Sequence, residues 1–296
     1  PILEIVDFLN ARARENQWGF VDFNRPMVAI NQWEQAEDSM YTLCGKDRIH
    51  PSTDGHLVMA YLFLKAQGLA GKPVADIRID GAGKKVTRSD NCRVSDLSVS
   101  SDNLTFTYEA KSLPYPIDTS YYDNEKHTQA DALSVIPFMD EMNYEGLSVS
   151  GLSDGYYGLT IGGEFIGRFT ARELERGINM ALLQNTPQYK QAMKIRQMNE
   201  ERWLKERKMR EFYWVEYNLM RKTGMLWACN EAAVDTLRKY RPHDIFLQWN
   251  GALWLQYMHK GIREDCVNEQ QDLVNQIYEQ NKPIPLQIEI KKFTDL

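Results

Sequence analysis

The segment Lys46-Asp47-Arg48-Ile49-His50-Pro51-Ser52-Thr53-Asp54-Gly55-His56 concentrates the side chains of acid–base chemistry. A neutral imidazole, whose ordinary pKa is about 6.5, takes a proton from a serine hydroxyl and returns it to a leaving alcohol. It does so when a carboxylate fixes its tautomer and stabilises the imidazolium. Asp47 and His50 suit these two roles. Their spacing lets one loop fold both side chains to the same side, and Pro51 stiffens the exit from that loop. The competing reading is an Asp and a His that merely fall at a helix start, where an acidic residue favours the amino-terminal dipole.

The surrounding residues define what would position the pair. Residues 2–15 place Ile2, Ile5, Val6 and Leu9 at helical spacing. The run Trp18-Gly19-Phe20-Val21-Asp22-Phe23 predicts a short buried strand, which Asn24-Arg25-Pro26 stops. Ser52 or Thr53 caps a helix that continues through Ala66 and ends at Gly68, with Leu57, Val58, Tyr61, Leu62 and Leu64 on its packed face. Helix, strand and helix read as an α/β unit entered midway, covering 1–72. Residues 73–169 change to short β-rich runs and predict a small sandwich, with a hairpin turn at Gly162-Gly163. Residues 170–296 are expected to be a helical extension. It opens on a capping box at Thr170-Ala171-Arg172-Glu173, continues as a long charged helix over 188–222 in a helical hairpin with 226–240 and 249–280, and closes on a strand, PLQIEIKKF. The long helix either binds a partner or packs on its own domain.

Composition narrows the function classes. The 296 residues are 43% hydrophobic and 11% aromatic, enough to bury a sizeable core. The net charge of −6, with basic residues interleaved among acidic ones, argues against a nucleic-acid partner. No apolar stretch approaches the roughly 20 residues that cross a bilayer, so no membrane span is expected. Cys44, Cys92, Cys229 and Cys266 lack zinc-site spacing and read as buried thiols. His127, His243 and His259 also lack metal-ligand spacing and read as surface or satisfied core residues. Asp154-Gly155-Tyr156-Tyr157 and the Trp-rich run 248–257 read either as core or as a sugar-stacking platform. Pro1 at the start, in place of Met, suggests processing, a cloned fragment or separation from an upstream segment.

DRIHPSTDGHLVMAYLFLKAQG, residues 47–68, resembles the last motif block of the SGNH or GDSL-type hydrolases, D-x-x-H followed by Pro and a Gly-His helix. The resemblance implies that residues 1–72 are the carboxy-terminal piece of a three-layer α/β/α domain. It implies that Asp47 and His50 belong to a Ser-His-Asp triad needing no metal or organic cofactor; His56 inherits no role. EAKSLPYP, LTIGGEFIGRFTARELERGIN and NTPQYKQA are similar to carboxy-terminal extensions of bacterial members that act on acylated polysaccharides. Acylated carbohydrate is thus the implied substrate, and a secreted or periplasmic location the implied setting.

The chain departs from that pattern upstream. No Gly-Asp-Ser block precedes Asp47, and Ser39, the sole upstream serine, lies in AEDSMY, which does not read as a nucleophile. A base without a nucleophile has nothing to activate. The chain alone is therefore expected to be inactive, with the serine on a second polypeptide or a lost segment. The rival reading is a noncatalytic carbohydrate-binding or subunit-scaffolding protein.

Overall fold

In the computed structural model, which describes residues 2–120 and 127–293, the apolar periodicity of the first 70 residues produces helices and no strand. These are α1 (Ile2–Asn16), α2 (Asn24–Glu34) and α3 (Thr53–Ala66). The strand expected over 18–23 is absent, and Trp18 is exposed. A strand exists only where neighbours satisfy its N–H and C=O groups, and none of the described strands lies beside this run. The amphipathic helix at the amino terminus forms as expected, but Ile2, Ile5 and Leu9 are 63%, 58% and 50% exposed, so its apolar face is not covered by the described residues. Helix α3 packs on the expected face: Leu57, Val58 and Tyr61 are buried with Leu43, Ile117, Ile136 and Phe138.

Two sheets follow. The first contains β1 (Ala75–Asp80), β2 (Lys85–Asp90), β5 (Glu145–Ser150) and β8 (Ile178–Asn179) in the order β2-β1-β5-β8, with β1 and β5 parallel. The second contains β3 (Cys92–Val99), β4 (Asn103–Ala110), β6 (Tyr156–Ile161), β7 (Glu164–Thr170) and β9 (Leu286–Lys292) in the order β3-β4-β9-β6-β7, antiparallel throughout. Alternation puts Leu104, Phe106 and Tyr108 of β4 on the inner face, opposite Ile290, Ile288 and Leu286 of β9. The inner faces of both sheets share one core with Ile77, Ile79, Leu147 and Leu159, the packing of a β-sandwich. The turn at Gly162-Gly163 has φ of 58° and 83°, the conformation that a two-residue hairpin requires. Two short helices, α4 (Phe138–Glu141) and α5 (Ala171–Arg176), belong to the same unit, and Thr170 forms the expected capping box at the start of α5, accepting from the Glu173 backbone N–H at 3.2 Å.

The chain divides into two compact units, Pro1–Lys190 with Pro283–Leu296, and Gln191–Lys282. The second is helical, as the sequence suggests. Helix α6 (Pro187–Val215) continues as a π-helical turn over Glu216–Met220 and is followed by α7 (Glu231–Tyr240), α8 (Ile245–Tyr257) and α9 (Lys260–Gln280). Its core gathers Phe212, Val215, Met220, Leu237, Leu247 and Trp254. The buried Glu216 carboxylate accepts from the Trp254 indole N–H and the Trp227 backbone N–H, both at 2.8 Å. Of the four cysteines, Cys92 and Cys266 are buried, Cys44 is half-buried and Cys229 is exposed, so the buried-thiol expectation fails for Cys229.

One core carboxyl makes stability depend on pH. Glu145 at the start of β5 is fully buried, accepting from the Tyr108 hydroxyl at 2.8 Å and the Gln188 amide at 3.2 Å. Burial pushes its pKa up to about 7 from an ordinary 4.5. A raised carboxyl favours the folded state fully below about pH 4.5 and loses that contribution as pH rises through about 7. Thermal melts should therefore show a falling Tm between pH 5 and pH 8. Glu145→Gln should flatten that fall; an unchanged slope in the variant would assign it to another group.

Candidate active site

The Asp47–His50 pair sits on a loop that is closed at its base by backbone pairing. Cys44 and Pro51 form an antiparallel bridge, and the Gly45 N–H donates to the His50 carbonyl at 2.7 Å. The Arg48 N–H donates to the Gly45 carbonyl at 2.9 Å, with Arg48 in the left-handed region at φ 57°. The turn aims both functional side chains the same way, as their spacing anticipates. Asp47 Oδ1 accepts from the backbone N–H groups of Ile49 and His50 at 2.9 and 3.1 Å. Its Oδ2 lies 2.5 Å from His50 Nδ1. These contacts, led by the His50 hydrogen bond, hold the Asp47 carboxyl down to about 2. Asp47 therefore stays ionised across the physiological range, Nδ1 carries the proton that faces it, and Nε2 is left to exchange protons with a reacting group. The His50 side chain is 84% exposed and Asp47 48%, so this carboxylate–imidazole unit stands at the surface of the chain.

What steadies the loop lies directly beneath it. Ser52 donates from both its N–H and its hydroxyl to the Leu43 carbonyl, at 3.0 and 3.1 Å. It does not cap α3 with its side chain, the role its sequence position suggests. Its hydroxyl also lies 2.6 Å from Oδ1 of the buried Asp54. Asp54 Oδ2 is 3.4 Å from His127 Nδ1, and the His127 ring meets Tyr41 edge-on. Sequence gives no sign of this second carboxylate–imidazole pair, because its partners are far apart in the chain. His56 and His243 are exposed. His259, exposed as well, places Nδ1 3.3 Å from Cys229 Sγ, another pairing with no local sequence signal. Ser39 is exposed, and no hydrogen bond connects it to His50 among the described residues. No group of three or more His, Cys, Asp or Glu that could hold a metal ion occurs among the described residues. Nor is any described helix long and apolar enough to cross a membrane.

Both sugar-platform candidates resolve at the level of single rings. Tyr157 is buried, and the face of Tyr156 is taken by the Arg168 guanidinium at 3.7 Å. Trp254 is core, whereas Trp249 is 66% exposed.

Gly55 permits the close approach of α3 to the strand-like segment before the loop. A Cβ there would fall 2.0 Å from the Leu43 carbonyl oxygen, which is backbone and cannot swing aside. Gly55→Ala should therefore destabilise the first unit by about 1–3 kcal/mol or more. It should also shift the His50 and Asp47 NMR resonances. A denaturation midpoint equal to wild type would show that the approach is not needed.

Residues 193–282 match the family described as the diltiazem deacetylase C-terminal helical domain. No curated protein sequence matches the chain. The whole fold is similar to a solved structure described as a gut microbial diltiazem-metabolizing enzyme, with 41% sequence identity and a TM-score of 0.91. The match covers 99% of this chain and 66% of that one, so the chain spans a little less than two thirds of its relative's length. Both the sandwich-bearing unit and the helical unit thus have counterparts in a solved structure described as a drug-metabolizing enzyme, and residues 193–282 of the helical unit match a family model described by deacetylation.

Proposed function

We propose that this chain carries the base and its orienting carboxylate of an SGNH-type ester hydrolase that removes acetyl groups, with the nucleophilic serine supplied from outside these 296 residues. The observation that carries the reading is the 2.5 Å contact between Asp47 Oδ2 and His50 Nδ1, with Asp47 further held by two backbone N–H groups. In the reaction, His50 Nε2 takes the proton of the serine hydroxyl as its oxygen attacks the acetyl carbonyl. The tetrahedral intermediate expels the alcohol, which receives that proton from His50. Water, deprotonated by His50 in turn, releases acetate from the acetyl-serine. Asp47 keeps the imidazole in the reactive tautomer and stabilises its cation without itself becoming protonated. Deacetylation is favoured by the description of the family matched by residues 193–282.

Two features favour a serine from elsewhere. The sole serine ahead of the motif, Ser39, has no hydrogen bond to His50. The face of α1 bearing Ile2, Ile5 and Leu9, together with exposed Trp33, Met40, Ile49 and Phe63, leaves much apolar surface exposed among residues 2–63, the stretch that contains the pair. Such a surface suits the remainder of a three-layer α/β/α domain, and the longer relative has length to supply it. Acylated carbohydrate is the natural substrate class we propose, with secretion or periplasmic export as its setting; diltiazem, named for the relative, is the laboratory substrate to try first.

The test uses the chain together with the polypeptide proposed to carry the serine, with acetate release from diltiazem and from acetylated xylan as readouts. His50→Ala and Asp47→Asn should each lower kcat by about 10²–10⁴ while leaving the Tm near wild type. Because Asp47 is held down to about 2, the activity should show no loss attributable to Asp47 protonation above about pH 3. A fluorophosphonate probe should label a serine outside residues 1–296 in a His50-dependent manner. Labelling of Ser39, or full hydrolysis by His50→Ala, would overturn the assignment and favour a noncatalytic binding protein.

A further inference from the structure

Within the helical unit, α6 carries Trp203, Arg207, Arg210 and Trp214 at successive spacings of four, three and four residues, which places them on one face. At the helical rise of about 1.5 Å per residue the two tryptophans stand roughly 16 Å apart along the axis, with the arginines between them. Glu211 and Asn250 of α8 complete an open pocket of about 270 Å³. That volume is below the roughly 300–1,000 Å³ of sites that engulf a drug-sized molecule, so the pocket suits one stretch of a longer ligand. Trp203 is 46% exposed. The Arg210 guanidinium lies over its ring at 5.5 Å, fixing the relative position of an aromatic surface and a cation. Trp214 is steadied by Phe246 at 5.3 Å between ring centres, and Phe246 in turn by Trp249 at 5.4 Å.

The two arginines use their inner nitrogens within the chain. Arg207 Nε donates to Glu211 at 2.8 Å, and Arg210 Nε lies 3.5 Å from Glu206. The terminal Nη pair of each is the part of the fork that binds a carboxylate in bidentate fashion. We propose that this groove binds an acidic oligosaccharide, its sugar faces stacked on Trp203 and Trp214 and its carboxylates held by Arg207 and Arg210. Sugar hydroxyls take the remaining polar partners, accepting from the Asn250 amide and donating to Glu211.

The mixture of charges selects among ligands. A polyphosphate, which has no apolar face, would leave Trp203 and Trp214 without a partner. A protein partner would meet an aromatic surface interrupted by two arginines, unlike the apolar centre of a stable interface. A glycan of uronic acids uses all of these groups, because it carries spaced carboxylates, hydroxyls and apolar ring faces. The site lies in the helical unit and stands whether or not the Asp47–His50 pair hydrolyses esters.

The experiment is calorimetric and fluorescence titration of the intact chain with hexamers of galacturonate, mannuronate and hyaluronan, with cellohexaose as the neutral control. At least one uronate hexamer should bind and change tryptophan emission, and its binding should weaken with salt. Trp203→Ala and Arg207→Gln, both at exposed side chains, should each weaken binding by about tenfold, a difference of about 1.4 kcal/mol, with unchanged circular dichroism. Absence of binding to all three uronates, equal binding of cellohexaose, or wild-type affinity in both variants would overturn the proposal.

Discussion

The first unit depends on a strand that arrives last. Residues 286–292 occupy the middle of the five-stranded sheet, between β4 and β6, and supply Ile288 and Ile290 to the core shared by both sheets. Without β9 the two hairpins β3-β4 and β6-β7 would each present an unpaired apolar edge, and the inner face would lose its central row. The chain must therefore leave this unit at Lys190, build the helices of 191–282, and return at Pro283 before the sandwich is complete. Such a long-range pairing is entropically demanding, and helices that fold on local contacts are an economical way to fill the interval.

A similar contrast between local and distant causes separates what could be read from residues alone. The Asp47–His50 geometry was legible because every contact that makes it lies within the loop: a bridge at its base, an Asx-type turn from Asp47 to the next two N–H groups, and one left-handed residue. The hairpin at Gly162-Gly163, the capping box at Thr170 and the alternation of β4 were legible for the same reason. The Trp18–Phe23 run was misread because its apolar content matches a buried strand, yet strand formation is decided by neighbours and not by composition. The Asp54–His127 and Glu145–Tyr108–Gln188 clusters carried no signal at all, since their members meet only once the fold has formed.

That locality also explains how a dyad can be in order on a surface. Triad carboxylates in finished active sites are commonly positioned by packing and water exclusion. Here Asp47 is oriented instead by the backbone of the residues that follow it, and its ionised form is favoured by His50 and those two N–H groups, which outweigh its partial burial. The nearby close approach of Gly55 to Leu43 and the double donation from Ser52 fix the loop to α3. The Asp47–His50 contact is thus assembled from interactions within the loop and its junction with α3.

Exposure sets the limit of that local assembly. A proton taken by His50 at 84% exposure is shared with solvent, and an oxyanion formed nearby would be stabilised by water no better than in free solution. Rate enhancement requires a low-dielectric enclosure with donors aimed at the developing charge. Ile49, which lies between Asp47 and His50 in the loop and is exposed, is an apolar side chain such an enclosure could be built against. On the proposed reading, covering it would bury the imidazole, exclude water from Nε2 and bring a serine into range in one step. Association and activation would then be a single event, and the hydrophobic stabilisation of that interface would also organise the electrostatics of catalysis.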